Sequence, residues 1–226
     1  MKMRSFVAMP FGIKRDHVDA GIATFDRALQ KLTQPENKCQ PRQVFLFSGH
    51  MIDAPGRTPP RFPAKKETIA AQKIAEALDQ LGAGPDDIAL TQGACGGDLL
   101  FTEACQQRGV KVHWLQPFLE PDFIEKSVVC GGESWRKRYL DAKAKLATPI
   151  RSAPEELGEP PPHTDPYERC NLWLLYTALA CGVDKVRFIC LWNGGGGDGP
   201  GGAAHMYNEV KRRTGRVTWL DTRTLW

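Results

Sequence analysis

Five short apolar runs recur along this chain, and stretches with helical spacing separate them. They are VFLFSG (44–49), DIALTQ (87–92), VKVHWLQPF (110–118), VRFICLW (186–192) and RVTWLDT (216–222). After the first run, KKETIAAQKIAEALDQL (65–81) sets Ile69, Ile74, Leu78 and Leu81 on one helical face, with Gly82 as the stop. LLFTEACQQR (99–108) and AAHMYNEVKRR (203–213) end in the same way, at Gly109 and Gly215. DPYERCNLWLLYTALACG (165–182) opens with Asp165 as N-cap, Pro166 at the first helical position and Glu168 two residues on. Strands alternating with helices of this length build βαβ units. Right-handed crossovers then give an α/β fold, a Rossmann-like three-layer α/β/α sandwich. Its central, mainly parallel five-stranded sheet is expected from residues 44–49, 88–92, 110–115, 186–192 and 217–221.

The segments between add detail. Residues 121–148 read as helical and polar with a break at CGG (130–132), and proline-rich 152–164 as a surface loop. The apolar stretch 172–183 is too short to cross a membrane and reads as a buried helix. Near the start, SFVAM (5–9) suits a short strand, 22–32 a helix and 33–42 a linker. Residues 1–41 are therefore read as an appendage with its linker, and 42–226 as the ligand-binding domain.

Composition excludes several classes. A net charge of +4 over 226 residues suits anionic small molecules but is too weak and scattered for nucleic acid. Seven cysteines without a CxxC pair indicate a reducing compartment rather than a disulfide framework. Without a signal peptide or an apolar stretch of membrane-spanning length, a cytoplasmic protein with no membrane partner is expected. No zinc-ligand spacing, GxSxG or GKS/T motif occurs, so no metal or cofactor is expected.

NGGGGDGPGGAAHM (193–206) carries seven glycines in its first ten positions. Such a run is either a slack connector or a loop that presses backbone onto a ligand. Its context favours the second: it leaves the carboxyl end of a strand and enters a helix start, where ligands bind in open parallel sheets and N–H groups favour phosphate. GACGGD (93–98) repeats the arrangement, and Ser48, Gly49 and His50 end the first run at the same edge. The candidate ligand-binding residues are thus Ser48, Gly49, His50, Gly93, Gly96, Gly97, Asp98, Gly199, Gly201, Gly202 and His205, with Arg57 and Arg61 from the loop after the first run. Asp98 either caps its helix or accepts hydrogen bonds from ribose hydroxyls. Cys95, near a helix start, is either a reactive thiol of lowered pKa or a small buried packing residue.

Four stretches in order, FLFSGHMIDAPGR…PRFP, GACGGDLLFTEA, DPYERCNLWLLYTALA and GDGPGGAAHM, resemble the SLOG superfamily of Rossmann-like, LOG- and DprA-related nucleotide-sensing domains. Within it they are most similar to domains at the carboxyl end of bacterial tetratricopeptide-repeat signalling and conflict proteins. The resemblance covers residues 43–226, and the opening FVAMPFGIKRD resembles a different domain of similar proteins. It implies a nucleotide-sensing domain that binds an NAD-derived or other nucleotide ligand in bacterial signalling or defence, with an effector or a second copy of the chain as partner.

LOG hydrolases carry PGGxGTxxE, whereas this chain has PGGAAHMYN (200–208). Pro200, Gly201 and Gly202 match, but Ala204, His205 and Asn208 replace the glycine, threonine and glutamate. An amide is neither acid nor base, so hydrolysis is not expected. An enzyme cleaving an N-glycosidic bond and an interaction module with a decayed pocket remain the alternatives. If the glycines touch phosphate, Gly201→Val and Gly97→Val should each weaken binding and leave the fold intact.

Overall fold

The computed structural model describes residues 40–196 and 201–226, within a compact unit spanning Pro41–Trp226. The strand, the helix and most of the linker read in residues 1–39 lie outside the described residues, as does Gly199. Six strands form one sheet: β1 Val44–Gly49, β2 Ile88–Thr91, β3 Lys111–Gln116, β4 Arg151–Ser152, β5 Val186–Trp192 and β6 Val217–Asp221. Every pairing is parallel, and the order is β4-β3-β2-β1-β5-β6. All five expected strands are there, β1, β5 and β6 at the bounds read from the sequence.

The sixth strand, β4, extends the expected five-stranded sheet. Its two residues pair with Leu115 and Gln116 at the end of β3. Two residues show no periodicity, so nothing in the sequence announces it. The following segment, expected as a loop, winds into a short helix, where Ser152 Oγ donates to Glu155 Oε2 at 2.6 Å and Arg151 forks onto Glu156.

Eight helices accompany the sheet among the described residues: α1 Glu67–Gln80, α2 Gly97–Gln107, α3 Glu120–Ser127, α4 Glu133–Lys143, α5 Ala153–Leu157, α6 Pro166–Ala180, α7 Ala203–Thr214 and α8 Thr222–Leu225. None is long and apolar enough to cross a membrane. Alternate residues of a strand face opposite sides of a sheet, and β1 serves two cores in this way. Phe45 and Phe47 join α1, α2 and α4 on one face, while Val44 and Leu46 join α6 and α7 on the other. The helix expected to be buried, α6, is buried along one stripe, Cys170, Leu174, Leu175 and Ala178. It is an outer-layer helix, so its far side meets water and Tyr176 is exposed.

Strand order reverses at β1. The chain builds outward through β2, β3 and β4, then returns to lay β5 on the other side of β1. Connections leaving β1 and β5 therefore diverge and open a crevice at the carboxyl edge of the sheet.

At the opposite edge Asp87, fully buried, ties the start of the domain together. It accepts from the amides of Gln43 (3.0 Å) and Gly84 (2.9 Å) and from the Arg42 guanidinium. Asp87→Ala strands two backbone donors at about 1–3 kcal/mol each. It should lower the unfolding free energy by roughly 3 kcal/mol in a denaturant titration with unchanged slope. A loss well under 1 kcal/mol would contradict this assignment.

Candidate functional site

The crevice holds a cleft of about 320 Å³. Ser48, Gly49 and His50 enter it from the end of β1, Gln92, Ala94 and Asp98 from the turn after β2, and Trp192 from β5. Asp165, Tyr167 and Asn171 of α6, Gly201 to Ala203 at the start of α7, Ser127 of α3, Met51 and Arg61 complete the lining. Three helices thus begin at one cleft, each presenting its positive end.

The three starts differ in how their free amides are occupied. At α6 the Asp165 carboxylate accepts from the Glu168 amide at 2.8 Å, the cap read from the sequence. At α2 the cap residue is Gly96, and Asp98 turns its carboxylate back to the amides of Gly93 (3.2 Å) and Ala94 (3.4 Å). The start of α7, capped by Gly202, receives no side-chain cap.

The glycines also have a packing role that the sequence does not show. Gly96 has φ +91°, and a Cβ there would stand 2.5 Å from the Ile52 amide nitrogen and 2.9 Å from the His50 carbonyl. A side chain on Gly201 would run into the Glu168 amide and the Tyr167 Cβ. Gly49 and Gly97 face the Phe47 ring in the same way, and Gly93 faces Trp114. These positions bring protein against protein, so valine at Gly201 or Gly97 attacks the packing itself. Neither substitution isolates a ligand contact from the fold.

His50 joins three chain segments. Its amide donates to Leu191 O (2.9 Å), its carbonyl accepts from the Gly97 amide (3.0 Å), and its Nε2 accepts from the Asn193 amide (3.2 Å). An accepting Nε2 means a neutral ring with its proton on Nδ1. Burial, reinforced by the charge of Arg61, pushes its pKa down to about 4. Asp98 is shifted the other way, to about 6, chiefly by burial and against the hydrogen bonds it receives.

Arg61 lines the cleft, and its loop is held from both sides. Asp53 Oδ2 accepts from the Arg61 and Phe62 amides at 2.8 and 2.9 Å, and the Phe62 ring stacks on Trp226 at 5.5 Å. Arg57 stands 3.6 Å from Asp53 and outside the lining. His205, third residue of α7, also lies outside it, with Nε2 at 3.3 Å from Glu168 Oε1. Cys95 is buried, and the neighbouring Cys130 thiol together with burial raises its pKa, so it is not the lowered thiol of the first alternative. Among the described residues, no three His, Cys, Asp or Glu side chains gather as a metal would require.

Sequence reasoning missed a polar relay along the sheet edge. Asn171 donates to Gly201 O (2.7 Å) and accepts from Gln92 Nε2 (3.0 Å). The Gln92 carbonyl accepts from Gln116, whose amide also reaches the Tyr139 hydroxyl at 3.0 Å. Asn171 could have been found as the one amide inside an apolar helical stretch, because a buried polar group needs a partner. Its partners were not legible, being distant in sequence.

Neither the models of known protein families nor the curated proteins yield a match to this chain.

The shifts of His50 and Asp98 have opposite consequences for stability. Folded His50 binds its proton less tightly than unfolded His50, so its contribution is full above about 6.5 and is lost as pH falls toward about 4. Folded Asp98 binds its proton more tightly, so its destabilisation is full above about 6 and vanishes near its unfolded value of about 3.9. Each amounts to about 3 kcal/mol across the window, and the slopes oppose. Denaturation from pH 4 to 6.5 should show His50→Gln losing stability relative to the parent as pH rises, and Asp98→Asn gaining it. Parallel profiles for parent and variants would refute both shifts.

Proposed function

We propose that this domain senses a nucleotide, binding it in the cleft at the β1/β5 reversal without turning it over. The observation that carries the reading is the start of α7, which no described side chain caps and which, unlike the starts of α2 and α6, has no acid in its first turn, opening together with Arg61 into a cleft that also holds carboxylates. Phosphate suits that helix start, and Asp98 suits the hydroxyls of a ribose. Trp192 and Tyr167 add apolar surface for the rest of the ligand. An anion alone would have no use for Asp98 and Asp165, so a ligand with both phosphate and hydroxyl groups fits better.

The SLOG resemblance supports the same class and points to an NAD-derived or related nucleotide, read in a bacterial signalling or defence context. In this reading the domain works in the cytoplasm and passes its occupancy to an effector or to a second copy of the chain. Sensing is favoured over hydrolysis because Asn208, matched by resemblance to the hydrolase glutamate, is exposed on α7 and outside the cleft lining.

Ala203→Asp tests the phosphate subsite cleanly. A carboxylate in the first turn suits the helix, so folding is preserved, while its charge occupies the place of the phosphate. Calorimetry with NAD, ADP-ribose and adenosine and guanosine phosphates should find at least one binder in the parent. The variant should bind it at least about tenfold more weakly, the loss of one charge-assisted hydrogen bond of about 1.5–3 kcal/mol. Unchanged affinity in folded Ala203→Asp would remove phosphate from this helix start. Release of free base by the parent, abolished in Asp98→Asn, would replace sensing with hydrolysis.

A further inference from the structure

Two thiols stand in contact behind the cleft lining, next in sequence to Ala94 and three residues after Ser127. Cys95 sits in the turn between β2 and α2, fully buried, and Cys130 in the short 3-10 turn Val129–Gly131 between α3 and α4, exposed. Their Sγ atoms are 3.4 Å apart, not bonded. The two turns are held in register by a hydrogen bond from the Cys95 amide to Ser127 O at 2.8 Å. Beside Cys130, a Cβ on Gly131 would stand 2.6 Å from the Trp135 ring, so the exposed turn is packed tightly against its own helix.

We propose that Cys130 is a peroxide-reactive cysteine and Cys95 its resolving partner, forming a reversible disulfide between the turn before α2 and the turn before α4. The geometry separates the two roles. An oxidant from solvent reaches Cys130, while Cys95 is shielded and already within the 3–3.5 Å that a bond-forming approach needs. Chemistry agrees with placement: the Cys95 thiol and the amides of Cys130 and Gly131 donate toward the Cys130 sulfur and lower its pKa. Burial raises the thiols of Cys105, Cys170 and Cys190, which makes them poor competitors.

The reaction balances in two steps. The Cys130 thiolate attacks one oxygen of hydrogen peroxide, giving a sulfenic acid and a hydroxide that takes up the proton the thiol released, the first water. The Cys95 sulfur then attacks the Cys130 sulfur, and the Cys95 proton leaves with the sulfenic hydroxyl as a second water. Two thiols are oxidised to one disulfide as one peroxide is reduced to two waters, and a dithiol returns the pair to its starting state.

Closing the bond draws the sulfurs from 3.4 Å to about 2.05 Å, so at least one of the two side chains must swing or its turn must shift. Both turns adjoin residues of the cleft lining. Cys95 follows Ala94, and Ser127, three residues before Cys130, meets the Tyr167 hydroxyl at 3.1 Å. The thiol chemistry does not depend on what the cleft binds, so its failure and the failure of the nucleotide reading are separate results.

Peptide mapping of the full chain after hydrogen peroxide and alkylation tests the proposal. We expect a Cys95–Cys130 linked peptide pair, lighter by two hydrogens and restored by dithiothreitol. Cys130→Ser should slow thiol loss at least about tenfold. Cys95→Ala, with its fold checked by circular dichroism, should leave a sulfenic acid on Cys130 that dimedone traps. Deuterium exchange between residues 94 and 98 should shift on oxidation and return on reduction. Equal alkylation of Cys130 before and after peroxide would overturn the proposal, as would links scrambled among the other cysteines or a link formed only in denatured protein.

Discussion

The carboxyl edge of this sheet is held together by His50. Its amide, carbonyl and ring each bond a different partner, at β5, at the first residue of α2 and at the loop after β5. Parallel strands share no tight turns, so their ends are placed only by what joins the loops leaving them. Here one residue at the reversal point does so, and its neutral ring is part of the connection. Burial and the charge of Arg61 depress its pKa, and the neutral ring this favours keeps the Nε2 lone pair that accepts the Asn193 amide. The closeness of Gly96 to the His50 backbone is the same constraint seen from the other side.

The sheet was legible because continuous apolar runs such as VFLFSG and VRFICLW have no surface to present and must be covered on both sides. The edge at which the candidates gather was legible too, since it follows from strand direction alone. What the individual glycines face was not. Glycine in a sequence signals close backbone approach, but not whether a ligand or another part of the chain does the approaching. At Gly96, Gly97 and Gly201 the neighbour is protein. The relay from Gly201 through Asn171 and Gln92 to Gln116 was hidden for a related reason: each residue is unremarkable locally and gains meaning only from partners brought in by the fold.

The cleft is electrically divided. Two of its helix starts carry carboxylates, Asp165 as a cap and Asp98 turned back onto its own loop, while the third has none among the described residues. Helix starts alone would favour anions all around the cleft. Placing acids on two of them leaves one corner suited to an anion and two corners rich in acceptors. Such a surface discriminates by the arrangement of a ligand's groups more than by its net charge.

The stacking of Phe62 on Trp226 gives the molecule a mechanical asymmetry. Residues 42 and 43 enter at the amino edge of the sheet, clamped by Asp87, a full strand length away from the cleft. The segment after β6 leaves at the cleft edge, and its Trp226 ring props the loop that carries Arg61. Force applied before β1 is absorbed by the buried clamp, whereas a pull on Trp226 lifts the support from beneath a residue of the cleft. The stretch before β1 is therefore an anchor and the stretch after β6 a handle.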